Sequence, residues 1–204
     1  MTGTSKNDSD DDRREPVQHG HLHWPVPPVD GYTVDDLFTL PDLPPHTELI
    51  DGSLVLVSPQ RNFHADVIDL LVSGLRRSVP KEFRVKVKRE MTIILDRRNG
   101  PEPDVSVVLA DAVSGPDQTC YQAQDVLLAV EVVSPDSESR DRTTKPQKYA
   151  AAGIPNFWRV ERDGTGRSPL VHAMSWTCSP ARTYTWACTA TGSRSPSPTP
   201  STST

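Results

Sequence analysis

Glu131 stands fifth in the stretch LLAVEVVSP, Leu127 to Pro135, as the one charged residue of a seven-residue run that is otherwise apolar. An ionised carboxylate taken out of water without a partner costs on the order of several kcal/mol or more. Glu131 therefore either faces solvent or meets something positive inside. Side chains alternate along a strand, so Leu127, Ala129, Glu131 and Val133 share one face. In GPEPDVSVV, Asp104 opens a second strand just after Pro103. Two carboxylates at corresponding places on adjacent strands would repel and resist ionising unless a divalent cation lay between them. Hard oxygen ligands of this kind suit magnesium, which keeps several waters and is usually held by one or two carboxylates plus a substrate phosphate.

A positive charge is on offer further along the chain. In RDRTTKPQKYAAAG, Lys145, Lys148, Tyr149 and Ala152 fall at i, i+3, i+4 and i+7, on one helical face. The loop SPDSESRD is long enough to fold this helix back over the strand end and bring Lys145 near Glu131. Pro146 is tolerable if the first turn begins close to Thr144.

The elements that must position these groups are readable in outline. YTVDDLFTLP predicts a short helix capped by Thr33, with Asp35 and Asp36 in its first turn. HTELIDGSLVLVSP predicts a hairpin turning at Asp51–Gly52. NFHADVIDLLVSGLRRSVP predicts the main amphipathic helix, with Phe63, Val67, Leu70, Leu71 and Leu75 as its apolar stripe. FRVKVKREMTIIL reads as a strand with Arg84, Lys86 and Lys88 on one face. That row is either a solvated edge protected by its charges or a set of contacts for phosphate oxygens. DVSVVLA, DVLLAVEVV and NFWRVE are further strands, the second being central, and a helix spans about Arg142 to Ala152. The expected class is α/β, with a central mixed β-sheet flanked by helices.

ELIDGSLVLVSP followed by His64, then PEPDVSVV, AVEVVSP and DRTTKPQKYAAAGIPNFWRVE, in that order, resembles the Uma-type restriction endonucleases, a bacterial branch of the PD-(D/E)XK nuclease superfamily. The resemblance spans about Tyr32 to Val171. It implies a restriction-endonuclease-like fold and metal-assisted hydrolysis of DNA phosphodiester bonds with Mg2+ or Mn2+. It also implies metal-ligand roles for Asp104 and Glu131. The superfamily lysine two residues after the glutamate is replaced here by Val133. The resemblance moves that role to Lys145 on the following helix, with Lys148 as a lesser substitute. Glu48 matches a further acidic position that would complete the site, and His64 matches a family position, which makes it a candidate accessory. Nucleases that cut both strands often work as dimers, so a homodimer is an open expectation.

Plainer readings stand beside these. Glu48 reads also as a strand-end surface charge, His64 as a cap or packing residue, and Arg76 and Arg77 as a solvated helix face. Tyr149 and Trp158 read as core residues. The alternation of His19, His21 and His23 reads as a chance cluster.

The chain has 204 residues, 20 prolines, 35% hydrophobic residues and a formal charge of −5. Residues 1–28 are acidic and then Pro-rich, and are expected to be a disordered lead-in. Residues 31–172 are expected to form the nuclease-like domain. No stretch suggests a signal peptide or a membrane span, and three cysteines without paired spacing argue against disulfides or zinc, so a cytoplasmic location is expected. From Ala173 the chain is expected to lose strand character, leaving residues 173–204 as an irregular Ser/Thr/Pro-rich tail. Permissible GC-rich codons for CTATGSRSPSPTPSTST, read one base earlier, give VHRHRLTVPVPDPVDID, a more regular ending. A frameshift near His172 is the resulting hypothesis, and resequencing that region tests it, an intact frame refuting it. Besides the Mg-dependent endonuclease, two readings stay open: an inactive nuclease-fold protein that binds nucleic acid, and a truncated non-functional product.

Overall fold

Thr33 closes the first helix, α1 (Val34–Thr39), through a reciprocal cap. Asp36 N–H donates to the Thr33 hydroxyl at 3.4 Å, and Thr33 N–H donates to Asp36 Oδ2 at 2.7 Å. The structure, a computed structural model, describes residues 26–166, 168–176 and 187–190. The three-histidine cluster and nearly all of the acidic lead-in therefore lie outside the described residues, as does most of the tail. No helix among the described residues is long and apolar enough to cross a membrane.

The hairpin expected around Asp51–Gly52 forms from β1 (Glu48–Ile50) and β2 (Ser53–Val55), paired antiparallel. Both turn residues have positive φ, 51° and 76°, which is what a tight two-residue hairpin turn demands of its Asp-Gly pair. Next come α2 (Asn62–Ser78), β3 (Val85–Arg89), β4 (Thr92–Ile94), β5 (Val105–Leu109), β6 (Cys120–Gln122) and β7 (Val126–Val132). After α3 (Lys145–Ala151) the chain adds β8 (Asn156–Arg162), β9 (Pro169–Ser175) and β10 (Ala187–Ala190).

Six strands make the main sheet in the order β10-β9-β8-β7-β5-β3. Only the β7–β8 pair is parallel, so the sheet is mixed. Residues of alternate parity face opposite layers. Val105, Val107, Leu128, Val130, Val132 and Val160 pack against Val67, Ile68 and Val72 of α2. Val108, Ala129 and Phe157 pack on the other side against Tyr149, Ala150 and Ile154. Burial on both faces explains why β7 reads as almost continuously apolar. It also excludes the solvent-facing option for Glu131.

Four local expectations are corrected. FRVKVKREMTIIL is not one strand: Glu90 takes φ 48°, and the chain leaves the main sheet to pair β4 in parallel with β6. Arg84 lies outside β3 in a left-handed conformation, φ 46°, so it is not part of the strand's charged row. On α2, Leu70 is 66% exposed while Ile68 and Val72 are buried, because the stripe through positions 64, 68 and 72 faces the sheet alongside 67, 71 and 75. The strand expected to end at His172 runs on through Ser175, since Met174 and Trp176 continue the period-two pattern into the core. Trp176 stacks 6.2 Å from Phe157.

The helix expected from Arg142 starts earlier, with a single π turn over Arg140–Thr144 that leads directly into α3. Pro146 offers no N–H to the helical ladder, and its ring crowds the carbonyl four residues back. The widened turn just before it gives that ring room.

Candidate active site

The register Val105↔Val130, continued by one residue, sets Asp104 directly opposite Glu131 on the face of the sheet that carries α3. Asp104 is fixed from two sides. Its Oδ2 accepts the N–H of Val132 at 2.6 Å, and its Oδ1 lies 2.8 Å from His64 Nε2, in the first turn of α2. The two carboxylates that the sequence places on neighbouring strands thus meet at one sheet end.

Lys145 supplies the positive charge Glu131 needs. Its Nζ lies 2.8 Å from Glu48 Oε1, 3.1 Å from Glu131 Oε2 and 3.5 Å from Asp141 Oδ1. All four side chains are buried. Glu131 Oε1 accepts the hydroxyl hydrogen of Tyr149 at 2.6 Å, and Glu48 Oε1 also accepts the N–H of Glu102 at 2.8 Å. Glu48 is therefore no surface charge. The i, i+4 step from Asp141 to Lys145, and again to Tyr149, places all three on one stripe facing the sheet end.

Charge decides the electrostatics. Three carboxylates surround one ammonium, with Asp104 adjacent. Burial pushes the Glu131 carboxyl well above its ordinary range; Lys145 opposes this, and the charges of Asp141, Asp104 and Glu48 reinforce it. Asp141 is raised by burial in the same way. For Lys145, burial favours the neutral amine, but Glu131, Glu48 and Asp141 together outweigh it and hold the ammonium more firmly than usual. Burial also pulls His64 toward the neutral form, yet the hydrogen bond and charge of Asp104 leave its pKa raised.

The donor set fits a hard divalent cation by charge and chemistry. Asp141 Oδ1 is buried with no hydrogen-bond partner, and the cluster's carboxyl groups outnumber its one ammonium. Among the described residues no three acidic, histidine or cysteine side chains form a ready cage. Asp104 and Glu131 are the groups that would hold such an ion, each oxygen keeping lone-pair capacity beyond its present partner. Waters and a substrate phosphate would complete the shell, as magnesium prefers.

The cluster floors a cavity of about 300 Å³ reached by His64, Ser134, Arg140 and Arg162 among others. Four of the expected site residues, the accessory Lys148 and the three phosphate contacts, lie elsewhere. Lys148 pairs with Asp51 in the hairpin turn, away from the cavity lining. Arg84 pairs with Asp111 at 2.6 Å, Lys88 sits 5.8 Å from the Tyr121 ring centre, and Lys86 is exposed on β3. None of the four lines the cavity. Two residues of the cluster were not expected there. Tyr149 is a core residue, as expected, but its hydroxyl also serves Glu131. Asp141 lies in what reads as a loop, and only its four-residue spacing to Lys145 signals it.

No curated protein matches the chain. A crystal structure described as a putative nuclease belonging to DUF820, from Anabaena variabilis ATCC 29413, superposes with a TM-score of 0.59 at 17% identity. The match covers 76% of this chain and 83% of that one. At that identity the likeness speaks for the fold, which is restriction-endonuclease-like. The family model described as "Putative restriction endonuclease" matches residues 34–168, more than half of the sequence. By that match the chain belongs to the Uma2 family, a family of nuclease type.

Proposed function

We propose that the chain is an endonuclease that hydrolyses DNA phosphodiester bonds with Mg2+ or Mn2+ held by Asp104 and Glu131. The observation that carries this reading is the juxtaposition of those two carboxylates at one sheet end, beside a buried cluster in which carboxyl groups outnumber the single lysine. When bound, a divalent cation supplies charge neutralisation and Lewis-acid polarisation of a phosphoryl oxygen.

The chain's own residues do the rest. Lys145, held protonated by Glu131 and Glu48, is a poor general base; it serves as a fixed cation for charge developing on the phosphate. Tyr149 fixes the rotamer of Glu131, and His64 with the Val132 amide fixes that of Asp104. Preorganisation of this kind spares the site reorganisation during reaction.

A second reading, a nuclease-fold protein that binds DNA without turnover, is favoured by one observation: Lys145 already occupies the middle of the carboxylate cluster. Incubation of supercoiled plasmid with Mg2+ separates the two. The enzyme reading expects nicked or linear product from the wild type and none from Asp104→Asn or Glu131→Gln. Folded wild type that binds DNA and yields no product supports the second reading.

A further inference from the structure

We propose that Arg61, Arg140 and Arg162 form a phosphate-binding rim around the cavity mouth and seat the DNA backbone above the acidic floor. This rests on the nuclease reading above and assigns its substrate contacts. The three residues come from separate elements: Arg61 is the N-cap of α2, Arg140 opens the π turn, and Arg162 ends β8. All line the same cavity.

Their state of pairing sets them apart from nearby arginines. Arg142 is bound by Glu138 and Glu161, Arg159 by Glu161 at 2.9 Å, and Arg89 by Asp69 at 2.6 Å. Among the described residues, Arg61, Arg140 and Arg162 have no carboxylate partner. Arg140 Nε is buried without a hydrogen-bond acceptor. A guanidinium donor left in that state is costly, and a shift of the side chain toward the cavity mouth would let a phosphate oxygen take it in fork geometry. Arg162 is held by its face, 4.5 Å from the Phe63 ring centre, which leaves its N–H edges available. Three guanidiniums on one cavity can neutralise more than one phosphate charge, which suits a nucleic-acid strand better than one small anion. The charged row on β3 is a weaker candidate, since neither Lys86 nor Lys88 reaches the cavity.

The test is binding of a labelled DNA duplex by the full chain, followed by fluorescence anisotropy across a salt series with Ca2+ in place of Mg2+. Each of Arg61→Gln, Arg140→Gln and Arg162→Gln should weaken binding regardless of DNA sequence and reduce the slope of log Kd against log salt by about 1. Arg77→Gln, on the exposed face of α2, should leave both unchanged. Circular dichroism confirms folding, and Arg61, being exposed, keeps the test decisive if Arg140→Gln does not fold. Rim variants with wild-type slopes, or a slope lost only in Lys86→Gln/Lys88→Gln, overturn the inference while leaving the nuclease reading in place. Wild type that binds no DNA overturns both.

Discussion

Lys145 Nζ lies 3.1 Å from Glu131 Oε2, and both side chains are almost wholly buried. Neither charge has water to turn to, so each is the other's condition for staying ionised. The pair also has a surplus: Glu48 and Asp141 lean on the same ammonium.

Removal of that ammonium should be severe. Lys145→Met leaves three buried carboxylates without a counter-ion, and the expected loss of stability is about 3–5 kcal/mol. Urea unfolding measures it; an unchanged midpoint would show that the carboxylates are not charged in the folded protein.

Lys148 should behave in the opposite way. Its partner Asp51 is exposed, and such pairs contribute about 0–1 kcal/mol. Lys148→Ala should therefore unfold near the wild-type midpoint and retain plasmid cleavage. Loss of cleavage in a stably folded variant would return Lys148 to the site.

Tyr149→Phe keeps the ring that stacks 5.6 Å from Phe157 and removes only the hydroxyl donated to Glu131. Hydrogen bonds to charged groups contribute about 1.5–3 kcal/mol, and a loss in that range is expected on unfolding. Slower cleavage is expected with it, because Glu131 loses its orienting partner.

Glu161 gives a pH dependence away from the carboxylate cluster. Burial would raise its pKa, but Arg142 and Arg159 outweigh this and hold the carboxyl below its ordinary value of 4.5. A depressed folded pKa stabilises the protein above the unfolded value, and that stability fades as pH falls through the folded one. The stability gap between wild type and Glu161→Gln should be full near neutral pH and should shrink below 4.5. A gap independent of pH would assign the loss to packing alone.

The sequence foretold the parts of the site that obey short periodicities. Glu131 and Asp104 are legible because strand alternation and a shared sheet end bring them together, and Lys145 because helix spacing aims it at them. Asp141 is hidden, since a π turn carries it where the sequence reads as a loop. The break at Glu90 and the three-residue strands β4 and β6 are too short for any period to emerge. The pairs Lys148–Asp51 and Arg84–Asp111 join residues far apart in the chain, so nothing local announces that those charges are already committed.

The central claim is that the carboxylates of Asp104 and Glu131 take up a divalent cation. Calorimetric titration of folded, metal-free protein with Mn2+ tests it most directly. The account predicts saturable uptake by the wild type that is lost in Asp104→Asn and in Glu131→Gln, both still folded. No uptake by the wild type, or uptake undiminished in both variants, would contradict it.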